Sequence, residues 1–282
     1  MSIKNRVIFS RYQELLLSIY PVEEAKEIVY RLAEHFLNVN RPLLLLELDT
    51  DENRELSDYL EVCVRRLLDH EPLQYVVGEV EFYNCKIQVD SRVLIPRPET
   101  EELVDIIVKE WKGESPRIID FGSGSGCIPI ALARSLPHAI VRSVDISSEA
   151  LEIARQNASS NGVDVDFVQA DMRNFTPDGG CYDIIVSNPP YVMDSEKAQM
   201  RENVLGHEPH LALFVSDGEP LEFYRPIADF ASLSLSANGK VYLEINQQLG
   251  AQTADLFAAK GMHAEVRKDM FGVDRFIVAR WK

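Results

Sequence analysis

"RIIDFGSGSGCIPIALA", residues 117–133, decides the fold. A short apolar run closes on Asp120 and Phe121, glycines follow at 122, 124 and 126, and a helical pattern begins at Cys127. A strand, a glycine loop and a helix in that order open an α/β unit, because glycine permits the tight turn and lets backbone approach a ligand closely. Further strands are expected at "IVRSVDI", "VDFVQA" and "YDIIVSN", separated by the helical stretch "SEALEIARQNASSNG". Strands alternating with helices imply a parallel sheet covered on both faces. The end breaks that rhythm: "GKVYLEIN", a helix at "AQTADLFAAKG", then "HAEVRKD" and "DRFIVARW". The last two strands are joined by a short turn at Phe271–Asp274, so they are expected to pair antiparallel.

Upstream of this domain the character differs. "RYQELLLSIY", "VEEAKEIVYRLAEHFLNV" and "NRELSDYLEVCVRRLLDH" carry apolar residues at three- and four-residue spacing, such as Ile28, Leu32 and Phe36. Pro21, Pro42 and Pro72 punctuate them. Residues 1–73 are therefore expected as a small helical bundle. "LQYVVGEVEFYNCKIQVDSRVLI" is rich in Val, Ile, Phe and Tyr, and residues 74–95 are expected as a strand pair linking it to the α/β domain of 96–282.

Composition narrows the function. The 282 residues carry a formal charge of −16, spread along the whole chain. Such a surface repels phosphates, so nucleic acid and anionic membranes are poor direct partners. Cys63, Cys85, Cys127 and Cys181 have no metal-site spacing and read as small buried hydrophobes in a reducing compartment. His207 and His210 flank Pro209 without a ligating motif, so no metal is expected. The first residues hold no leader-like apolar core, and "PLLLL" at 42–46 is too short to span a bilayer; a cytoplasmic protein is expected.

The glycine loop points to a nucleoside-type ligand. A dinucleotide site wants Gly-x-Gly-x-x-Gly, and its third glycine would fall at 127, which is cysteine. The loop Gly122-Ser123-Gly124-Ser125-Gly126 suits a ligand without a pyrophosphate, such as S-adenosylmethionine; a plain strand-to-helix turn is the alternative. Asp145 ends the next strand, 19 residues after Gly126, where a carboxylate can accept from both ribose hydroxyls. Asp171 and Met172 follow the third strand, where the first could accept from an adenine amino group and the second could pack on the ring. A loop cap and a core methionine are the ordinary readings of that pair.

"DIIVSNPPYV", residues 183–192, supplies the chemistry. Pro189 and Pro190 have no N–H, so the strand end keeps acceptors: the Asn188 side-chain oxygen and the carbonyls of Asn188 and Pro189. Such a lip suits a planar NH2 group, which brings two hydrogens to donate. Holding both fixes the nitrogen and aims its lone pair, and Tyr191 offers a flat face for stacking. A stiff turn is the ordinary reading of the same residues. In "PRPETEELV", Glu99, Glu101 and Glu102 fall in the first turn of a helix, where the dipole favours them, and are not by themselves evidence of catalysis. Arg97, between two prolines near the ligand face, is a candidate contact.

These motifs in their order, with "EPLQYVVGEVEF", "VLIPRPETEELV", "SNPPYV", "HEPHLAL" and "DMFGVDRF", resemble the HemK-type protein glutamine N5-methyltransferases over nearly the whole chain. "IPRPETEEL" resembles the release-factor-specific, PrmC-like branch more than the ribosomal-protein branch. The resemblance implies a Rossmann-like class I methyltransferase domain, mostly parallel with a C-terminal antiparallel hairpin, behind a helical docking domain. It implies that Gly122–Gly126 and Asp145 hold S-adenosylmethionine, with Met172 beside the adenine. Asn188 would serve cofactor and substrate, and Asn188, Pro189, Pro190 and Tyr191 would hold a glutamine in the Gly-Gly-Gln loop of a peptide-chain release factor. The products would be N5-methylglutamine and S-adenosylhomocysteine. Three positions differ from the family's usual pattern: Asn246 stands for glycine, Met172 for an aromatic residue and His207 for tyrosine. "NPPY" is shared with adenine-N6 nucleic-acid methyltransferases, which are the enzyme alternative beside a ribosomal-protein methyltransferase; a binding module without catalysis is the non-enzyme alternative.

Overall fold

The computed structural model describes residues 4–48, 50, 53–177 and 179–282. Two compact units divide the chain: Met1–Gly78 with Arg201–His207, and Glu79–Met200 with Glu208–Lys282.

The first unit is helical: α1 (Asn5–Leu16), α2 (Val22–Leu37), α3 (Arg41–Glu47), α4 (Arg54–Leu68) and α5 (Leu73–Val77). Ile8, Phe9, Tyr12 and Leu16 of α1 meet Ile28, Val29 and Leu32 of α2 and Leu56, Leu60 and Val64 of α4 in one buried core. The three- and four-residue spacing of these positions puts each set on one helix face. The side chains of Asn40 and Asn53 cap α3 and α4 by accepting from Leu43 N and Leu56 N. The start of the expected strand pair is helical instead. Pro72 sits at the N-cap of α5 and Gly78, at φ 87°, closes it, so Leu73–Val77 take a helical turn despite their strand-like composition.

The hairpin of the second unit is therefore short. β1 (Glu79–Phe82) pairs antiparallel with β2 (Cys85–Gln88) through Tyr83 and Asn84, both at positive φ. The central sheet then has seven strands: β3 (Arg117–Phe121), β4 (Ile140–Asp145), β5 (Asp166–Gln169), β6 (Tyr182–Ser187), β9 (Leu235–Glu244), β10 (Met262–Lys268) and β11 (Asp274–Trp281). Their order is β10-β11-β9-β6-β3-β4-β5. The five from β9 to β5 run parallel, β11 runs against them, and β10 pairs antiparallel with β11. The helices are α6 (Pro98–Trp111), α7 (Cys127–Ser135), α8 (Ser148–Asn161), α9 (Glu202–His207, in the first unit), α10 (Tyr224–Ser234) and α11 (Gly250–Ala259). A two-stranded parallel pair, β7 (Val192–Met193) and β8 (Phe214–Val215), lies beyond the proline turn.

The parallel strands read Ile118-Ile119, Ile184-Ile185-Val186 and Val241-Tyr242-Leu243, all fully buried, as strands covered on both faces require. Cys63 and Cys85 are buried as expected, but Cys181 is exposed in the turn before β6. Among the described residues no helix is long and apolar enough to cross a membrane.

Candidate active site

Sheet register puts the expected site residues on one edge. Phe121 pairs with Val144 and with Ser187, Asp145 with Gln169, and Ser187 with Leu243. The carboxyl ends of β3, β4, β5, β6 and β9 therefore finish level, which is where ligands sit in open α/β sheets. A cavity of about 460 Å³ opens there, a size suited to a nucleoside-class ligand. Gly122, Ser123, Gly124, Ser125, Asp145, Asp171, Met172, Asn188 and Pro190 line it. The other three expected residues stand behind that wall: Gly126 at the start of α7, Pro189 buried, and Tyr191 packed against the core.

The glycines have separate jobs. Gly122, Gly124 and Gly126 all take positive φ, of 84°, 51° and 81°. A Cβ at Gly124 would meet nothing within 4 Å and would project into open space, whereas one at Gly126 would lie 3.1 Å from the Ala154 Cβ and 3.2 Å from its Cα. The first leaves open space on the cavity wall; the second is where α7 packs on α8. Asp145 holds the loop: its Oδ2 accepts from Gly124 N and its Oδ1 from Ser147 N, both at 2.9 Å. Burial pushes the Asp145 carboxyl up, and the backbone N–H groups oppose that shift. The loop is also tied from behind. Asn157 of α8 donates to Ser125 O at 2.9 Å and to Gln88 O at 3.0 Å, while its Oδ1 accepts from Gln88 N at 2.8 Å.

Beneath the loop, Asp120 is fully buried. Its Oδ2 accepts from Ser143 Oγ at 2.5 Å, and its Oδ1 has no hydrogen-bond partner among the described residues. Burial pushes this carboxyl up to about 8. The unpartnered Oδ1 leaves a buried polar atom two residues before the glycine loop, and the open space at Gly124 leaves room for a ligand that carries an amino-acid end.

At the far end, Asp171 is engaged by its neighbour. Arg173 donates from Nε and Nη2 to the Asp171 carboxylate, and from Nη1 to Glu222 at 2.7 Å. The hydrogen bonds from Arg173 hold the Asp171 carboxyl below its usual range. Asp171 also caps a 3₁₀ turn at Met172–Asn174 through Arg173 N. Phe223 joins Met172 and Asp171 in lining this end.

At the proline turn a polar network sits in the core. Asn188 Nδ2 donates to Thr100 Oγ1 at 3.1 Å, Thr100 Oγ1 donates to Glu244 Oε2 at 2.8 Å, and Tyr191 OH donates to Glu244 Oε1 at 2.8 Å. Thr100 is 2% and Glu244 1% exposed, so these bonds replace water entirely. Burial pushes the Glu244 carboxyl up, against the two hydrogen bonds and the charge of Arg275. Burial likewise pushes the Tyr191 phenol well up, so it remains a donor. Asn246 Nδ2 donates to Tyr191 O at 3.1 Å and to Glu196 Oε2 at 2.7 Å, fixing the exit of the turn. That gives Asn246, the residue in place of the family's glycine, a definite structural part.

Two further stretches line the cavity: Ser91–Arg97, and Pro209 with Leu211 and Ala212. Glu208 joins them: it accepts from Ile95 N at 3.2 Å and from Arg97 Nη2 at 2.6 Å while itself buried. Arg97, expected as a ligand contact, lines the cavity but spends part of its guanidinium on Glu208. Glu101 and Glu102 are structural, accepting from Tyr83 N and Met270 N, each at 3.0 Å.

Thr100, Glu244, Asn157 and Glu208 escaped the sequence reading. Thr100 shares the buried stripe of α6 with Leu103, Val104 and Ile107; a hydroxyl in an apolar stripe was the available signal. Glu244 was visible as an acid in the apolar run "VYLEI". Asn157 and Glu208 carry no local signal, because their partners are 69 and 113 residues away.

Comparison with known proteins agrees with this layout. Residues 98–211 match the Methyltransferase small domain and residues 9–78 the PrmC N-terminal domain. The chain is 40% identical to a release factor glutamine methyltransferase of Flavobacterium psychrophilum, over 97% of this chain and 98% of that protein. It is 43% identical to a protein of the same name from Bacteroides thetaiotaomicron, over 95% and 96%. A solved methyltransferase structure from Pyrococcus furiosus shares the fold, with a TM-score of 0.51 at 20% identity, over 69% of this chain and 87% of that one.

Proposed function

The chain belongs to the release factor glutamine methyltransferases and methylates a release-factor glutamine at N5 with S-adenosylmethionine; we propose that Asn188-Pro189-Pro190-Tyr191 is the lip that grips the target amide. The observation that carries this reading is the polarity of Asn188. Its Nδ2 is spent on Thr100, so Oδ1 is the end turned away from that bond and free to accept. The carbonyls of Asn188 and Pro189 stand beside it, and neither proline brings an N–H. A target side-chain amide has two hydrogens to give such a lip.

When bound, S-adenosylmethionine supplies an electrophilic methyl group on sulfonium and leaves as S-adenosylhomocysteine. The chain's own residues do the rest. The open cradle at Gly124 and Asp145 would hold the amino-acid and ribose ends. Met172 and Phe223, with Asp171, would take the adenine. Amide nitrogen is a weak nucleophile because its lone pair is delocalised. Two acceptors on its hydrogens fix the nitrogen, favour pyramidal geometry and draw off positive charge as it develops. Positioning of this kind supplies roughly 7–11 kcal/mol of a barrier. Once the methyl group has transferred, the positively charged amide nitrogen is strongly acidic and gives up its proton to solvent, with Asn188 Oδ1 and the adjoining carbonyls accepting its hydrogen bonds until then, so no strong base is required.

The Gly-Gly-Gln loop is the proposed location of the glutamine. The helical unit is proposed to help dock the release factor; Leu43 and Leu46 give α3 exposed apolar surface. The charge of −16 supports a protein substrate over a polyanion, and a cytoplasmic site of action follows from that substrate. Mass spectrometry of a release factor incubated with the protein and S-adenosylmethionine tests the proposal. One methyl group on the Gly-Gly-Gln glutamine is expected, and none with Asn188→Ala. Methylation elsewhere, or by the variant, would contradict it.

A further inference from the structure

We propose that Thr100 and Glu244 are positioning residues that decide which end of the Asn188 amide faces the substrate. The proposal rests on Asn188 acting as an acceptor.

The two ends of an asparagine amide have nearly the same shape, so packing alone does not choose between them; hydrogen-bond polarity does. Both oxygens of the Glu244 carboxyl act as acceptors here. Glu244, behind the wall, takes Thr100 Oγ1 on Oε2 and Tyr191 OH on Oε1, both at 2.8 Å. Thr100 has one proton, and Glu244 claims it. The Thr100 oxygen is thereby left as an acceptor toward Asn188, which meets it with Nδ2 at 3.1 Å. The polarity runs from carboxylate to hydroxyl to amide, and its last term is an oxygen pointing away from Thr100. The opposite orientation would set an NH2 against the NH2 of the target.

Register makes the arrangement possible. Ser187 and Leu243 are the last pair between β6 and β9, so Asn188, just past β6, and Glu244, at the end of β9, are neighbours. Thr100, in the first turn of α6, reaches between them. All three are held by buried elements, so the relay is set before any ligand arrives.

The test compares Thr100→Val, which keeps shape and removes the hydroxyl, with Thr100→Ser, which restores it. Glu244→Gln is the second variant: its amide can donate, so the hydroxyl is no longer bound to point one way. Turnover is measured beside two binding readouts, S-adenosylhomocysteine affinity and the affinity of a Gly-Gly-Gln peptide for the protein saturated with S-adenosylhomocysteine. Expected for T100V and E244Q are a kcat lower by ~100-fold, the cost of a small misplacement, weaker peptide binding, and unchanged S-adenosylhomocysteine affinity. T100S should recover most of the loss. If T100V does not fold, E244Q carries the same comparison. Full kcat and full peptide affinity in the folded variants, with Asn188→Ala inactive, would overturn the proposal. Turnover by Asn188→Ala would instead overturn the acceptor reading beneath it.

Discussion

Asn188, the first residue past β6, and Glu244, the last residue of β9, each follow the final pair between those neighbouring parallel strands, Ser187 with Leu243. One faces the cavity and the other lies buried behind it. The placement separates the residue proposed to meet substrate from the residue proposed to orient it, and the two should respond differently to mutation.

Replacing Asn188 with alanine removes an acceptor and leaves the sheet intact. Asn188→Ala should lower kcat by ~100-fold or more, while S-adenosylhomocysteine affinity falls much less and the melting temperature stays near wild type. Radiolabel transfer and calorimetric titration measure the two halves. Near-normal turnover would remove Asn188 from the chemistry.

Asp145 is proposed to act on the other substrate. Its carboxylate anchors Gly124 and Ser147 and is the proposed ribose acceptor. Asp145→Ala should weaken S-adenosylhomocysteine binding by at least ~10-fold, the order of one charge-assisted hydrogen bond, and raise the apparent KM for the cofactor more than it lowers kcat. Unchanged affinity would show that the ribose is held elsewhere.

The glycines separate binding from packing. Gly124→Ala strains a positive φ but meets no atom within 4 Å, so stability should drop by only about 1–2 kcal/mol while cofactor affinity drops sharply. Gly126→Ala adds a methyl 3.1 Å from the Ala154 Cβ and should cost about 2–4 kcal/mol of stability. Denaturant titration with and without S-adenosylhomocysteine distinguishes the two. Equal destabilisation by both would contradict the division of roles.

Asp120 predicts a pH dependence. Burial raises its folded-state carboxyl to about 8, far above an unfolded aspartate near 3.9. Between those values the folded chain binds a proton that the unfolded chain has released. The resulting stability is fully present below about pH 4 and is lost as pH rises through about 8. Glu244 and Asp145 are shifted in the same direction. Asp120→Asn should flatten the ligand-free profile, gaining on wild type by on the order of 5 kcal/mol between pH 4 and pH 8. Parallel melting profiles for the two proteins would refute a buried, proton-retaining Asp120.

The sheet and its ligand edge were legible because each strand carries its signal locally: an apolar run, then a glycine, an aspartate or an asparagine at its tip. The antiparallel ending followed from the short turn before Asp274 in the same way. The helix at Leu73–Val77 was not, since valine-rich composition outweighed the Pro72 start and the Gly78 stop. The layer behind the site was hidden for a different reason. Thr100 meets Glu244 across 144 residues and Asn188 across 88, and contacts of that range depend on register and helix placement, which no local pattern encodes. Asp171 was found by its position at a strand end, but its pairing with Arg173 was not, although the two stand two residues apart.

The most direct test of the account is a crystal structure of the protein with S-adenosylhomocysteine and a Gly-Gly-Gln peptide. The account predicts the glutamine amide nitrogen within hydrogen-bonding distance of Asn188 Oδ1 and a carbonyl of Asn188 or Pro189, with Nδ2 still on Thr100 and the sulfur on the same side. A glutamine side chain seated away from residues 188–191, or an Asn188 amide turned with its NH2 toward the glutamine, would contradict it.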